Sequence, residues 1–256
     1  MSPTGFSADL SDRVAIITGG TRGIGRAIAG AYQANGASVV VSARTASDVT
    51  SAEAGLAAGG PALGVPCDVA IEADVERLFA ATVDRFGRVD ILVNNAGISP
   101  SYRRSESVPV DEFDRVLAVN VRGTFLCARA FANHAIERDG GGVVLNVTSA
   151  SGIRGMARLL AYSASKGAVA RMTEVMAAEW ADRGIRVNAI APGWVETDLN
   201  RGLLQSKHGE RMVEHTPQRR WAQPDEVTGL AVYLVSDAAS FVTGQSYVID
   251  GGFLLP

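Results

Sequence analysis

Cysteine is scarce in this chain, which has only Cys67 and Cys127 among its 256 residues. Two cysteines cannot build the disulfide framework of a small secreted domain. We therefore expect both to be reduced structural thiols in a cytoplasmic protein. The three histidines, His134, His208 and His215, lack the spacing of metal ligands, so no metal site is predicted.

Charge of one sign and long apolar runs are also missing. The formal net charge is −3 and no stretch is rich in lysine and arginine, which argues against nucleic acid as a partner. Runs such as Val39-Val40-Val41 are far shorter than the roughly 20 residues that span a bilayer. The opening sequence, MSPTGFSADLSDR, has neither a basic segment nor an apolar core, so we expect no signal peptide and no membrane partner.

What the chain does contain is a series of short β-branched runs separated by longer helical patterns. The runs are apolar throughout rather than alternating, as in strands that are buried on both faces. They are VAIIT (14–18), SVVVSA (38–43), ILVN (91–94), GVVLNVT (142–148), IRVNAIA (185–191) and QSYVID (245–250). Strands alternating with helices predict an α/β fold with a doubly wound parallel sheet and helices on both faces. Since no linker or internal repeat is visible, residues 1–256 are predicted to form a single domain.

The first predicted strand runs into a glycine-rich turn, ITGGTRGIGRAIA. Gly19, Gly23 and Gly25 have the spacing G-x-x-x-G-x-G. Glycines between a strand and a helix allow a sharp turn and let a pyrophosphate approach the helix N-terminus. The alternative is a set of turn glycines without a ligand, which the context of strand before and helix after disfavours.

Five motifs occur in a fixed order along the chain. They are Thr18-Gly19-x-x-x-Gly23-x-Gly25, Asn94-Asn95-Ala96-Gly97, Ser149, Tyr162-x-x-x-Lys166 and Pro192-Gly193. With these motifs the chain resembles the short-chain dehydrogenase/reductase family over almost its whole length. The resemblance implies a Rossmann-like domain, a nicotinamide cofactor and the interconversion of a carbonyl and an alcohol by hydride transfer. The overall pattern is similar to that of 3-oxoacyl-carrier-protein reductases within the family.

The end of the second strand bears on the choice between NAD(H) and NADP(H). NAD-preferring relatives carry an acidic residue there, whereas this chain has Ala43 followed by Arg44. An arginine can hydrogen-bond the 2′-phosphate of NADP(H), and Arg22 in the glycine turn could add a second positive charge. We therefore predict NADP(H), with NAD(H) as the alternative. The competing interpretation is that Arg44 only caps the strand in solvent.

The resemblance assigns further contacts to the cofactor. Asp68, at the end of the next strand, and the amide of Val69 would hold the adenine, although Asp68 could also cap the following helix. Asn94 is predicted to tie neighbouring strands together. The complete set of predicted cofactor-binding residues is Gly19, Thr21, Arg22, Gly23, Ile24, Gly25, Arg44, Asp68, Val69, Asn95, Ala96, Gly97, Tyr162, Lys166, Pro192, Gly193, Val195 and Thr197.

The segment YSASK places Lys166 four residues after Tyr162. On a helix the two side chains share a face, and a nearby ammonium lowers the pKa of a phenol from its usual value of about 10. We therefore expect Tyr162 to donate a proton to the substrate, with Lys166 lowering its pKa. By resemblance, Lys166 also binds the ribose of the nicotinamide.

Two further catalytic residues are implied by the resemblance. Ser149 would hold the substrate oxygen, with Thr148 and Ser151 as adjacent alternatives. Asn120 would help to hold a water that relays protons to the lysine. The alternative for Asn120 is a local hydrogen bond within a helix.

The substrate side is less strongly marked. Residues 198–220 are polar and weakly periodic, which predicts a lid over the substrate, with a solvent-exposed helix pair as the alternative. Candidate pocket residues are Ser99, Arg154, Met156, Leu159, Leu160 and Leu199, with Trp194 assigned either to the pocket or to packing. The apolar members favour an apolar pocket, whereas Arg154 or Arg158 could meet an anionic group.

Two enzyme hypotheses follow for a small-molecule carbonyl or alcohol substrate. One is an NADP(H)-dependent reductase of a ketone or 3-oxoacyl group, and the other is an alcohol or polyol dehydrogenase. An acyl carrier would need a basic docking surface, for which Arg122, Arg129 and Arg138 are candidates. A non-catalytic, cofactor-sensing protein should have lost the serine, tyrosine or lysine. The apolar tip at 253–256 favours a homotetramer, with a dimer as the alternative.

Overall fold

Seven parallel strands form one sheet in the computed structural model, which describes residues 8–99, 102–198, 200–204 and 206–256. The strands are β1 (Val14–Thr18), β2 (Ser38–Ala43), β3 (Ala62–Pro66), β4 (Ile91–Asn94), β5 (Gly142–Val147), β6 (Ile185–Pro192) and β7 (Ser246–Ile249). They pair in the order β3-β2-β1-β4-β5-β6-β7. The predicted doubly wound, Rossmann-like sheet is confirmed.

Helices connect the strands and cover both faces of the sheet. They are α1 (Gly23–Ala34), α2 (Ala46–Ala57), α3 (Glu72–Phe86), α4 (Val110–Leu117), α5 (Gly123–Glu137), α6 (Ala150–Ile153), α7 (Leu160–Trp180), α8 (Arg201–Leu204), α9 (Lys207–His215) and α10 (Thr228–Val235). A π-helical segment, Ala118–Arg122, joins α4 to α5. Within the described part of the chain, no helix combines the length and apolar character that crossing a membrane requires.

Two hydrophobic cores, one on each face of the sheet, explain why the strand sequences are apolar at every position. In β1, Ile17 packs into the core under α1, α2 and α10. Its neighbour Ile16 packs into the core under α3, α5 and α7. Both side chains are fully buried, because successive strand residues point to opposite faces and both faces are covered.

Strand β3 is the one that was not among the predicted apolar runs. It lies at the edge of the sheet, where Leu63 and Val65 are only half-buried. Gly64 and Pro66 interrupt its β-branched pattern, as is common in edge strands. The other six strands coincide with predicted runs to within one residue at each end.

The chain crosses from one half of the sheet to the other between β3 and β4, which pairs with the opposite side of β1. At such a switch point the loops that follow neighbouring strands diverge and leave a crevice at the carboxyl edge. The loops after β1, β4, β5 and β6 carry the glycine turn, Asn95, Ser149 and Gly193. The topology therefore gathers the predicted site residues at one edge of the sheet.

Candidate active site

The glycine turn after β1 has a backbone that only glycine accommodates well. Gly19 and Gly23 have φ values of +63° and +55°, in the left-handed region. A Cβ added to Gly25 would lie 2.3 Å from Asn95 Nδ2 and 2.4 Å from the Gly19 carbonyl oxygen. Arg22 precedes α1 without a side-chain cap, so the first amides of this helix are open to an anion. The turn fits the pyrophosphate of a dinucleotide.

Asn95 and Thr18 hold this turn against the loop after β4. The Asn95 side-chain amide donates to the carbonyl oxygens of Thr18 and Gly19, each at 2.9 Å. The Thr18 hydroxyl accepts from the amides of Asn95 and Ala96, each at 3.1 Å. The Asn95 side chain is thus used for positioning, which leaves the backbone of this loop to face the cleft.

A cleft extends along the carboxyl edge from β2 to β6. Its lining includes most of the predicted cofactor residues, namely Gly19, Thr21, Arg22, Gly23, Ile24, Arg44, Asp68, Val69, Asn95, Ala96, Gly97, Tyr162, Lys166, Pro192, Gly193, Val195 and Thr197. Ser149 also lines it, whereas Gly25 and Asn120 do not. Residues brought there without having been predicted include Thr45, Asp48, Cys67, Ile98, Val119, Val147, Asp198 and Asn200. Several of these adjoin a predicted residue in the sequence, which is the signal that could have found them.

One end of the cleft is positively charged. Arg22 and Arg44 are exposed on its lining, next to Ala43 at the end of β2. Among the described residues, neither guanidinium lies within ion-pair distance of a carboxylate. Asp48 in the first turn of α2 also lines this end, so the region is not purely basic.

Asp68 does not cap the helix that follows it. The N-cap of α3 is Ile71, and the Asp68 carboxylate accepts from the amide of Ala70 at 3.0 Å. Asp74 in the first turn of α3 accepts from the Asp68 amide at 2.9 Å. The helix-cap alternative is therefore wrong, since the local turn ends before the helix begins.

Two buried thiols adjoin the same region. Cys67 is 3% exposed although it lines the cleft, and Cys127 on α5 is fully buried. Burial raises the pKa of both thiols, that of Cys67 to about 12, with the carboxylates of Asp74 and Asp68 contributing. Both are protonated at neutral pH.

Tyr162 and Lys166 lie one turn apart on α7, as predicted. The Lys166 ammonium is 5.7 Å from the centre of the Tyr162 ring and donates to the Val147 carbonyl at 2.7 Å. Because it is buried, the pKa of Lys166 is lowered to about 8.

The expected depression of the tyrosine pKa is wrong for the chain by itself. Burial raises the pKa of the Tyr162 phenol above its ordinary value, and the hydrogen bond with Ser149 only partly offsets this effect. The reason is that removal from water disfavours the phenolate. Lys166 meanwhile directs a proton of its ammonium group to Val147 rather than to the phenol.

Ser149 is the hydroxyl that the fold presents to Tyr162. It is the N-cap of α6, and its Oγ accepts from the amide and hydroxyl of Ser151 at 3.2 and 3.1 Å. The Thr148 hydroxyl instead donates to the Ile190 carbonyl at 2.8 Å and is buried. Of the three adjacent hydroxyls, only that of Ser149 is close enough to Tyr162 to lower the pKa of its phenol.

Asn120 lies in the π-helical segment and is fully buried. Its side chain accepts from the Ile98 amide at 2.9 Å and donates to the Ile98 carbonyl and the Ser165 hydroxyl, each at 3.0 Å. These contacts join the loop after β4 to α7, so the alternative of a local hydrogen bond within one helix is wrong. A Cβ on Gly97 would meet both Asn120 Oδ1 at 3.3 Å and Lys166 Nζ at 3.4 Å, which places the two polar groups around one point.

The loop after β6 crosses the glycine turn. Asn200 Oδ1 accepts from the Thr197 amide at 3.0 Å and from its hydroxyl at 3.3 Å, while its amide donates to the Val195 carbonyl at 2.7 Å. A Cβ on Gly23 would lie 3.3 Å from Thr197 Cγ2. Asn200 thus positions the two predicted cofactor residues of this loop.

The pocket candidates divide into several groups. Trp194 packs edge-on against Trp221 and Phe253, with ring centres 5.2 and 5.9 Å away. Leu199 lies outside the described residues. Ser99, Met156 and Leu159 are half-buried, whereas Leu160 is exposed. Arg154 and Arg158 lie over the rings of Phe253 and Tyr102, so both guanidinium groups already have partners.

The region predicted to form a lid contains the short helices α8 and α9, which pack on each other. No group of three or more histidine, cysteine, aspartate or glutamate side chains is placed to hold a metal ion in the described ranges.

Asn94 donates to Asn146 on the neighbouring strand at 3.0 Å, which confirms its predicted role of joining strands.

Comparison with known proteins agrees with this geometry. The family model described as enoyl-(acyl carrier protein) reductase matches residues 19–254. The D-threitol dehydrogenase of Mycolicibacterium smegmatis is 38% identical over 251 residues, which cover 98% of this chain and 96% of the relative.

Two solved structures have the same fold. A short-chain type dehydrogenase/reductase from Mycobacterium marinum superposes with a TM-score of 0.93 at 36% identity, covering 98% of both chains. The 3-ketoacyl-(acyl-carrier-protein) reductase from Brucella melitensis, complexed with NADH, has a TM-score of 0.89 at 36% identity, covering 96% of this chain and 99% of that one. The chain belongs to the short-chain dehydrogenase/reductase family of nicotinamide-dependent oxidoreductases, which act on alcohols and ketones.

Proposed function

We propose that the protein is an NADP(H)-dependent oxidoreductase that interconverts a ketone and a secondary alcohol, with Tyr162 as the proton donor. One observation carries this proposal: Ser149, Tyr162 and Lys166 line the same cleft as the glycine turn. The cleft therefore brings an acid, a hydroxyl and an ammonium group to the dinucleotide site. When bound, the cofactor supplies or accepts the hydride at the carbonyl carbon.

The residues divide the remaining work. Ser149 donates a hydrogen bond to the carbonyl oxygen, where negative charge develops. Tyr162 gives its proton to this oxygen, and its raised pKa keeps it protonated at neutral pH, as reduction requires. Lys166 binds the cofactor ribose. After Tyr162 has given up its proton, Lys166 returns a proton to the phenolate. Asn120 fixes Ser165 and the loop at Ile98 next to Lys166, where a water could relay protons.

We expect Tyr162→Phe to lower kcat by about 10²- to 10⁴-fold, because the substrate oxygen then lacks its proton donor. Fluorescence titration should show that NADPH still binds, since the ring is retained. Tyr247→Phe, on β7, serves as the matched control and should keep full activity. Turnover by the Tyr162 variant at the wild-type rate would refute the assigned role. NADPH binding by a wild-type protein that turns over no carbonyl or alcohol would instead favour a cofactor sensor.

The choice of NADP(H) rests on Arg44 and Arg22 at one end of the cleft and on Ala43 in place of an acid. A 2′-phosphate there would meet two cations that have no carboxylate partner among the described residues. The NADH bound by the Brucella melitensis relative makes NAD(H) the alternative cofactor. Asp68 and Val69, which also line the cleft, are proposed to hold the adenine.

An alcohol or polyol dehydrogenase is the second candidate, favoured by similarity to D-threitol dehydrogenase. Oxidation would use Tyr162 as base, with the same residues at the site.

An acyl-carrier substrate has less support, because the proposed docking arginines are engaged within the chain. Arg129 is paired with Glu72. Arg138 donates to Asp90 at 2.9 Å, and Arg122 donates to a main-chain carbonyl. The carboxylate partners of Arg129 and Arg138 reduce the positive charge available to an acidic carrier, which favours a free small molecule.

We further propose a lid formed by residues 198–220, a cytoplasmic location and a homotetramer. The lid proposal is supported by Asn200, which joins the start of this region to the loop over the glycine turn. The tetramer is supported by apolar side chains exposed on α5 and α7, namely Phe125, Ile136 and Val175. A dimer is the alternative assembly.

A further inference from the structure

A group of side chains in mutual contact lies between the turn that follows Ser149 and the loop after β6. Arg154 follows the short helix that Ser149 caps, and its guanidinium donates to the Phe253 carbonyl at 2.9 Å. It also lies over the Phe253 ring, with Cζ 5.4 Å from the ring centre. Phe253 in turn contacts Trp194, whose chain neighbours Gly193 and Val195 line the cleft. Contacts therefore run from the turn at Ser149 to the loop after β6, which we call the cofactor loop.

The position of Phe253 is fixed by the turn before it. The Asp250 carboxylate accepts from the amides of Gly252 and Leu254, at 2.9 and 2.8 Å. A Cβ on Gly193 would lie 2.7 Å from Asp250 Cβ, so this turn is packed directly on the cofactor loop. Trp194, Trp221 and Phe253 form an aromatic wall. Arg154 contacts it on one side, and the turn at Asp250 supports it on the other.

The segment between Ser149 and Tyr162 also carries apolar side chains. Residues 149–162 contain no aspartate, glutamate, asparagine or glutamine. Ile153 and Leu160 are 51% and 44% exposed, and Met156 and Leu159 are half-buried. Exposed apolar groups near a catalytic residue mark a surface that an apolar ligand can cover.

Both arginines of this segment already have partners within the chain. Arg154 is held by Phe253, and Arg158 lies over the Tyr102 ring with Cζ 5.5 Å from its centre. The segment also has no carboxylate or amide side chain, the groups that could accept several hydrogen bonds from a polyol.

We propose that the substrate is an uncharged ketone, or the matching secondary alcohol, that carries an apolar ring. This proposal rests on the proposed function and specifies its substrate class. In reduction, the carbonyl carbon gains a hydride from NADPH and the oxygen gains the proton of Tyr162, which gives the alcohol and NADP⁺. The ring lies against Phe253 and Trp194, and the carbonyl oxygen points to Ser149.

Steady-state assays matched in direction test the class of substrate. Cyclohexanone and acetophenone are compared with dihydroxyacetone and acetone in reduction, and cyclohexanol with threitol and glucose in oxidation. We expect kcat/KM to favour the ring compounds by at least about 10-fold, as the burial of a few CH₂ groups provides. A higher kcat/KM for the polyols overturns the substrate class but leaves the proposed function intact. Absence of turnover with every compound and both cofactors refutes the proposed function itself.

Two variants test the wall. Phe253→Ala should raise KM for acetophenone by about 10-fold or more and leave kcat/KM for acetone within about 2-fold, because acetone has no ring to bury. Arg154→Ala should have the same effect through displacement of Phe253, with unchanged NADPH affinity as proof of folding. Phe241→Ala is the matched control, since Phe241 is fully exposed elsewhere on the surface. Equal effects of Phe253→Ala on acetone and acetophenone, or none on either, would overturn the assigned wall.

Discussion

At the scale of single residues, Arg44 is the side chain on which the proposed cofactor preference depends most. Arg44→Ala should lower kcat/KM with NADPH by about 10- to 150-fold, the effect of losing one charge-assisted hydrogen bond. The value with NADH should stay within about 2-fold, because NADH has no phosphate for this arginine. Arg171→Ala, an exposed arginine on α7, is the control. A wild-type preference for NADH, or an unchanged ratio in Arg44→Ala, would contradict the NADP(H) proposal.

Lys166 and Tyr162 show where residue-level prediction succeeds and where it ends. Spacing along a helix predicts that the two side chains are neighbours, because helical geometry depends only on the chain. The pKa of the tyrosine depends on how many atoms the fold places around it and on the partner that the lysine selects. Val147 is that partner, and it lies at the end of strand β5. Its role could not be derived from the pentapeptide.

At the scale of elements, His134 links α5 to the start of β4. Its Nε2 accepts from the Val89 amide at 3.1 Å, which requires the neutral ring. Burial, and then the nearby Arg138, lower the pKa of His134 below its ordinary value of 6.5. The unfolded chain therefore takes up a proton at a higher pH than the folded one. The stabilisation that neutral His134 provides is complete above the pKa of the unfolded chain, about 6.5. It is lost as the pH falls toward the lower pKa of the folded chain.

We expect the free energy of unfolding to decrease as the pH falls below about 6.5, with a smaller decrease in His134→Gln. A glutamine amide can accept the same hydrogen bond without titrating. Urea denaturation at several pH values measures this, with His215→Gln on α9 as the exposed control. Identical pH profiles for wild type and His134→Gln would rule out the proposed linkage.

Elements were predictable where they are buried on both faces and harder to predict elsewhere. β1 and β4 are continuous apolar runs because both of their faces are covered. β3 has one free edge and half-buried side chains, so its composition carries a weaker signal. The π-helical segment around Asn120 was not foreseen, since its sequence continues the helical pattern of α4 and α5. The resemblance selected Asn120, but its partners Ile98 and Ser165 are distant in sequence.

At the scale of the whole molecule, the proposed homotetramer requires that apolar surface be covered by other subunits. Phe125 and Val175 are 43% and 54% exposed on α5 and α7. Sedimentation of the wild type should give four subunit masses. Val175→Asp should give a smaller species, because a carboxylate is costly to bury in an apolar interface. Glu174→Asp, next to it on α7, keeps the charge unchanged and is the control for substitution on this helix. A wild type that sediments as one subunit would end the proposal.

The burial of the two thiols makes both of them unreactive in the native molecule. A thiol reacts as its thiolate, and neither Cys67 nor Cys127 forms one near neutral pH while the fold is intact. Alkylating reagents and mild oxidants should therefore react slowly with both thiols, even though Cys67 borders the cleft. Reactivity returns only when the chain opens, so these two sulfur atoms act as internal markers of unfolding.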